Sequence, residues 1–413
     1  MSSRKLKIFI SAYACEPNLG SEIGVGWHWV LEMSKYFDLW VLTRKSNKKT
    51  IASWLLENPG FQNINFIYYD LPYYLRFWKK GLRGVRTYYN IWQRITNKIV
   101  KQTMEKNDID IYHLLTYGNA IWPASKYGQK QFFIWGPTSV GDTIPKEYSN
   151  HYNLKSRFIE ELRRLSVKLL SYNKGFKKRC KDANLILCKT ENTFKFIPDY
   201  YKPKSKIFTD VAVDVIDTSD FNLEGEEDNS SIRYLAVGRL DAWRGFDLII
   251  EAFTKAYKLN SKIRLEILGK GNDYARLKEL IIKSKMESVI SLSGQVSIQE
   301  YYQKMAHCDV VVNPCLKEGA VTTAFDSMSF GKPLICIKTG GYTRYFHDDY
   351  AVLVSLSNRS NTISKLTEGV LLLTNKQERI KKGSKAKQMS MDFVWQKKGM
   401  QIKEVITKAY YGE

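Results

Sequence analysis

The chain has 413 residues, of which 44% are hydrophobic and 26% charged, and it carries a formal net charge of +22. That length is too great for one ordinary core and predicts two domains of about 200 residues each, while the composition excludes disordered and fibrous classes. No run approaches the ~20 apolar residues of a membrane span, Ile8–Ala14 is too short for a secretory signal, and cysteines 15, 180, 188, 308, 315 and 336 lack paired metal spacing, so a cytoplasmic protein with buried free thiols is expected.

In chain order, the first half alternates short apolar runs with longer amphipathic ones. Strands are predicted over Lys7–Ala14, Asp38–Thr43, Asn65–Tyr69, Ile109–Leu115, Gln131–Trp135 and Ala183–Cys188, with helices including Trp27–Tyr36 and Thr87–Lys106. This β/α alternation predicts a parallel sheet covered on both faces. The first 200 residues hold 32 Lys+Arg against 16 Asp+Glu. The excess gathers in two segments. Segment 76–101 has eight basic residues, no acid, and the aromatics Phe77, Trp78, Tyr88, Tyr89 and Trp92. Segment 155–181 has ten basic residues against Glu160 and Glu161. Both read as surfaces for an anionic membrane, which places the protein on the inner membrane face.

The acidic, Gly- and Ser-bearing stretch 214–230 marks a boundary or exposed loop. After it the alternation restarts with strand Ile232–Val237, helix Asp247–Tyr257, strand Ile263–Leu268, helix Asp273–Lys285 and strand Val289–Ser293. Helix Ile298–Ala306, strand Asp309–Asn313, helix Val321–Phe330 and strands Pro333–Ile337 and Ala351–Val354 follow. A final helix covers about Asp392–Tyr411. The expected fold is α/β with two doubly wound domains, 1–210 and 211–391, and a terminal helix over 392–413. Ligands in such sheets sit at the carboxyl ends of the strands.

Four loops in the second half occupy those positions. Gly238-Arg239-Leu240-Asp241-Ala242-Trp243-Arg244-Gly245 follows a strand, and two arginines five apart can clamp two phosphates. Gly269-Lys270-Gly271 and Gly294-Gln295-Val296 also follow strands, and alone each is equally readable as a tight turn. The fourth runs from Asn313-Pro314 to Glu318-Gly319-Ala320-Val321, with Asp326 further on. Its helix would start near Gly319–Val321, leaving free amides for a phosphate or a sugar hydroxyl. Glu318 can accept hydrogen bonds from vicinal hydroxyls or simply cap the helix.

As an ordered set, these loops resemble the retaining glycosyltransferases of family 4, which have the GT-B fold. The set continues through Ser329-Phe330-Gly331-Lys332-Pro333 and Thr339-Gly340-Gly341, and Gly20-Ser21-Glu22 with Gly24-Val25-Gly26-Trp27 and Trp135-Gly136-Pro137 add to it. The resemblance implies two Rossmann-like domains facing across a cleft, acceptor-binding first and donor-binding second, with the last helix crossing back to the first. It implies that Arg239 and Arg244 bind the donor diphosphate, that Glu318 contacts the transferred sugar, and that Asp326 holds the ribose. Gly238, Gly269, Gly319, Ala320 and Val321 would line the donor site, and Gly294 to Val296 would face the base. Gly20 and Ser21 would close over the phosphates. Transfer would be front-face and oxocarbenium-like, with the donor phosphate helping to deprotonate the acceptor and no metal or other cofactor.

The expected activity is transfer of a hexose or N-acetylhexosamine from a nucleotide-sugar, UDP favoured and GDP next, to a lipid-linked sugar or growing polysaccharide. Three residues depart from the family pattern: Asp326 stands where Glu is usual, Arg244 where Lys is commoner, and Arg344 where an acid is frequent. These departures leave a non-catalytic partner subunit as the alternative. His113, ending a strand of the first domain, is an acceptor-side candidate or a satisfied core histidine. Asp108-Ile109-Asp110 precedes a strand, so it reads as a chance match to a metal motif. Nucleic acid is not an expected partner, because no recognition module accompanies the basic charge.

Overall fold

The structure, a computed structural model, describes residues 4–79, 81, 84–121, 131–217, 221, 231–317 and 322–412. It divides into two compact units. One comprises Met1–Gly141, Val167–Asp210 and Trp395–Glu413; the other comprises Asp142–Ser166 and Val211–Val394.

The first unit is built on strands β1 (Lys7–Ser11), β2 (Asp38–Thr43), β3 (Asn65–Tyr68), β4 (Ile111–Leu114), β5 (Phe132–Thr138), β6 (Leu185–Cys188) and β7 (Ser205–Ile207). They form one sheet in the order β3-β2-β1-β4-β5-β6-β7, with every pair parallel. Helices α1 (Ser21–Ser34), α2 (Lys48–Glu57), α3 (Val85–Ile95) and α4 (Asn97–Asn107) belong to this unit. The near-continuous apolar runs of β1 and β4 follow from burial on both faces. The helix expected over 87–106 is two helices. The break falls at Thr96, whose hydroxyl donates to the Trp92 carbonyl at 2.8 Å, and both residues are buried; such back-bonding competes with regular helix.

Three aromatics of the basic segment 76–101 point inward. Tyr88, Tyr89 and Trp92 are buried in the core against Tyr13. That segment therefore offers a surface its cations and Phe77, and little of the aromatic character its sequence suggests. Asp110, in the chance metal motif, is held by the Arg4 guanidinium and the Lys7 amide.

In the second unit, helices α5 (Lys146–Ser149) and α6 (Leu154–Lys168) precede the sheet, and the boundary between units passes through the last turn of α6. Segment 142–166 thus groups with the second unit, although it lies inside the expected first domain. Helices α7 (Lys174–Asp182) and α8 (Glu191–Phe196) return to the first unit. The second sheet has strands β8 (Ile232–Val237), β9 (Ile263–Leu268), β10 (Ile290–Gly294), β11 (Val310–Asn313), β12 (Leu334–Ile337) and β13 (Ala351–Val354). Its order is β10-β9-β8-β11-β12-β13. Between and after these strands come α9 (Phe246–Leu259), α10 (Tyr274–Lys283), α11 (Ile298–His307), α12 (Thr322–Ser329), α13 (Tyr342–Tyr345), α14 (Arg359–Leu372) and α15 (Lys376–Ser390).

The last helix, α16 (Trp395–Tyr411), lies in the first unit against α1. Gly399 packs there on the Glu32 side chain, which would have to shift to admit a Cβ. Buried Lys398 donates to the Thr209 carbonyl at 3.0 Å. All six cysteines are buried and unbridged. Among the described residues no helix is long and apolar enough to cross a membrane.

Candidate functional site

Each sheet has the strand order of a doubly wound dinucleotide fold, which reverses direction next to its first strand. In the second unit that switch point lies between β8 and β11. The loops leaving these two strands hold Gly238 to Gly245 and Pro314 to Lys317, so topology brings together segments some seventy residues apart.

Backbone contacts bind the loops into one surface. The Gly238 amide donates to the Leu268 carbonyl at 3.0 Å, Leu240 to Lys270 at 3.1 Å, and Gly269 to Gly294 at 2.6 Å. Gly269 has φ +140°, and a Cβ there would collide with the Gly238 carbonyl oxygen; only glycine fits this approach. Gly245 has φ +72° and lies against the Pro314 carbonyl, while the Leu316 amide donates to Trp243 at 3.2 Å. Gly294, at φ +76°, faces open space, and Val296 lies partly exposed beyond it.

Two cations flank this surface. Arg239 is exposed, and its Nε donates to Asp241 Oδ2 at 2.6 Å; one donor is used and four remain of the guanidinium's five. The Arg244 guanidinium lies 4.4 Å over the Trp243 ring. The Lys317 ammonium lies 5.1 Å from the same ring centroid, so the indole is flanked by two cations. Lys317 donates to Glu160 Oε1 and Oε2 at 2.8 and 2.7 Å. Both residues are buried, and Arg163 pairs with Glu160 as well. Burial pushes the Glu160 carboxyl up, and Arg163 and Arg164 pull it part of the way back.

Glu318, Gly319, Ala320 and Val321 lie outside the described residues. On their near side the loop is braced at Cys315, whose carbonyl accepts from Thr339 Oγ1 at 3.1 Å and whose amide donates to Asn313 Oδ1 at 3.3 Å. On their far side α12 carries Asp326, whose Oδ2 accepts from the Tyr301 hydroxyl at 2.7 Å. Burial pushes the Asp326 carboxyl up to about 7; the Tyr301 hydrogen bond pulls it down and Asp214 pushes it up further. Asp326 is therefore a carboxyl poised near neutrality.

In the first unit, Gly20 precedes α1, and Ser21 opens it at φ +58°, a left-handed conformation that a non-glycine residue holds only under constraint. Gly26 packs so closely on the Ala14 carbonyl that a Cβ would collide with it. His113 is fully buried, with Nε2 on the Gly136 carbonyl at 2.7 Å. Burial lowers its imidazole to about 4, partly offset by that hydrogen bond. It is a neutral histidine in the core on β4, and among the described residues its buried Nδ1 has no hydrogen-bond partner. Sequence reasoning missed Trp243, Tyr301 and the Lys317–Glu160 pair, because no local pattern ties residues 157 or 25 positions apart.

Residues 220–387 match the family model described as Glycosyl transferases group 1. An uncharacterized glycosyltransferase of Methanocaldococcus jannaschii is 31% identical over 172 residues, 41% of this chain and 46% of that protein. The chain thus spans about half the length of this curated relative. Among solved structures, Anabaena HepE in complex with UDP and glucose has a TM-score of 0.61 at 14% identity, covering 98% of this chain and 100% of the other. The pneumococcal O-GlcNAc transferase GtfA in complex with UDP and GlcNAc has a TM-score of 0.61 at 11% identity, covering 98% and 99%. At these identities the likeness shows a common fold, the GT-B arrangement of two Rossmann-like units.

Proposed function

We propose that this chain, whose residues 220–387 belong to the glycosyl transferases group 1 family, is a retaining, metal-independent glycosyltransferase. It moves a hexose or N-acetylhexosamine from a UDP-sugar to a lipid-linked sugar or growing polysaccharide. The observation that carries this reading is the β8/β11 switch point, where a glycine-cleared backbone surface meets Arg239 and Arg244. Diphosphate oxygens fit that combination of close amides and guanidinium donors. The UDP in the two structural neighbours supports uridine as the base.

In this reading Arg239 and Arg244 stabilise the charge that develops on the departing diphosphate. Glu318 contacts hydroxyls of the transferred sugar, Asp326 accepts from the ribose diol, and Gly294 to Val296 meet the base. A panel of UDP-, GDP- and ADP-sugars, assayed for hydrolysis and transfer, tests it. Glu318→Ala is expected to abolish turnover with an unchanged circular dichroism spectrum, and undiminished turnover would remove the site assignment. Absence of binding heat for every nucleotide diphosphate would instead favour a non-catalytic partner subunit.

Asp326 gives this site a pH signature. The ionised carboxylate accepts from both hydroxyls of a diol, with charge-assisted bonds that the protonated acid cannot match, and a group titrating at about 7 is mostly protonated at pH 6 and mostly ionised at pH 8. UDP should therefore bind roughly tenfold more tightly at pH 8 than at pH 6. The nucleotide's own phosphate ionisation contributes to that slope, so Asp326→Asn is the reference. Parallel calorimetric pH profiles for the two proteins would exclude the ribose role.

Helix α6 supports docking on an anionic membrane. Leu154, Phe158, Leu162 and Leu165 are exposed at 84%, 64%, 48% and 51%. Their spacing sets them along one helix face, opposite the buried Glu160. A helix that turns its apolar stripe to solvent, with Lys155, Arg157 and Lys168 beside it, matches an interfacial membrane element. Phe158→Glu combined with Leu162→Glu should weaken cosedimentation with phosphatidylglycerol vesicles by at least about tenfold. Unaltered cosedimentation would exclude α6 as the docking element.

A further inference from the structure

A cavity lies in the first unit, among residues that the donor-site loops do not include. Its volume is about 340 Å³, and it is lined by Arg44, Ser46, Asp70, Arg76, Lys79 and Tyr88, with Tyr73 and Phe77 also contributing. Arg44 directly follows β2, and Asp70 comes two residues after β3. The cavity therefore opens at the carboxyl end of the first sheet, the edge where open α/β sheets receive ligands. Its size falls in the range of small-molecule sites, ~300–1,000 Å³.

Three cations converge on this cavity against one carboxylate. Asp70 is already engaged: it accepts from the Ser46 amide at 3.1 Å and the Tyr88 hydroxyl at 2.9 Å, and Arg76 is 3.6 Å away. Lys79 lies 5.4 Å from the Tyr88 ring centroid. Burial lowers its ammonium, and Arg44 and Arg76 lower it further, with Asp70 opposing them. The Arg44 guanidinium sits 5.1 Å over the Tyr13 ring. Among the described residues its buried Nε has no hydrogen-bond partner, and neither has the buried Tyr13 hydroxyl. Like charges held together with an unsatisfied donor are unfavourable until an anion enters.

We propose that this cavity is an anion subsite that holds a phosphate or pyrophosphate group of the acceptor through Arg44, Arg76 and Lys79. The assignment rests on the reading of the first unit as the acceptor-binding domain. The guanidinium of Arg44, braced by Tyr13, supplies the fixed donor fork, and the more exposed Arg76 and Lys79 close on the group from the rim. Tyr73 and Phe77, exposed at 75% and 61%, offer aromatic faces to whatever the phosphate is attached to.

The test is calorimetry on the full chain with saturating UDP, so that the donor site is filled, titrating inorganic pyrophosphate and then farnesyl diphosphate. Arg76→Glu and Lys79→Ala should each weaken pyrophosphate binding by at least about tenfold, since each removes a charge-assisted contact, and should leave UDP affinity unchanged. Both substitutions lie at partly or fully exposed positions, so folding is not at stake; Arg44→Gln, at the guanidinium that lies over the Tyr13 ring, is the more severe variant. Tighter binding of farnesyl diphosphate than of pyrophosphate would support the subsite and assign it to a lipid-linked acceptor. Equal or weaker binding, still lost in Arg76→Glu, would support it for a phosphate on a water-soluble acceptor. Failure of the wild-type chain to bind pyrophosphate, or full affinity in both variants, would overturn the subsite. Loss of UDP binding alone would overturn the donor reading instead.

Discussion

Arg244→Ala is expected to lower turnover with a UDP-sugar by about 100- to 1,000-fold, the effect of removing one fixed donor aimed at developing charge. Arg244 ends the short turn Ala242–Arg244 that follows β8, and it is not a mobile surface arginine. Its guanidinium lies on the Trp243 ring, Gly245 packs on Pro314, and the Trp243 carbonyl receives the Leu316 amide. This bracing places a positive charge at the switch point before any ligand arrives, which is the preorganisation that makes a donor count in the transition state. Arg244→Lys should recover much of the loss, because an ammonium still supplies the charge without the planar fork. Steady-state kinetics separates the outcomes. A kcat within about threefold of wild type for Arg244→Ala would show that the phosphates lie elsewhere.

Breaking the Lys317–Glu160 pair should have the largest effect on stability. Both side chains are buried and the ammonium reaches both carboxylate oxygens. Glu160→Ala is expected to destabilise the second unit by about 3–5 kcal/mol, because it strands a buried ammonium. Lys317→Met should cost less, since Arg163 still neutralises Glu160. Replacing both by methionine should recover most of the loss, because packed apolar side chains carry no desolvation penalty. Urea unfolding measures these differences, and single variants within about 1 kcal/mol of wild type would show that the pair is solvated. The pair also bears on the site, since Lys317 immediately precedes Glu318. Glu160 ties the loop leaving β11 to α6, whose opposite face carries the exposed apolar stripe.

Much of this was legible in the chain itself. Strands β2, β8, β9 and β13 occupy the ranges that apolar runs predict, because strands of a covered parallel sheet are predominantly apolar. The glycine loops were readable because the backbone imposes its demand locally: at Gly269 and Gly245 only a residue without Cβ can hold the observed φ and approach. Their order along the chain carried the resemblance to the family and, through it, the expected fold.

What the tertiary structure decided was direction and partnership. Periodicity could not show that Tyr88 and Trp92 enter the core while Leu154 and Phe158 remain exposed. It could not show that His113 is a neutral core residue, or that Asp326 is held by Tyr301. It read Glu160 as one of two acids in a basic segment, where folding makes it the buried counter-ion of Lys317. Such pairings join residues far apart in sequence, and no local propensity records them. The chain by itself determined where backbone conformation is constrained, because those constraints act over a few residues. Which charges are buried, paired or turned toward a ligand was settled only when distant strands and helices came together, because solvent exclusion is a property of the packed unit.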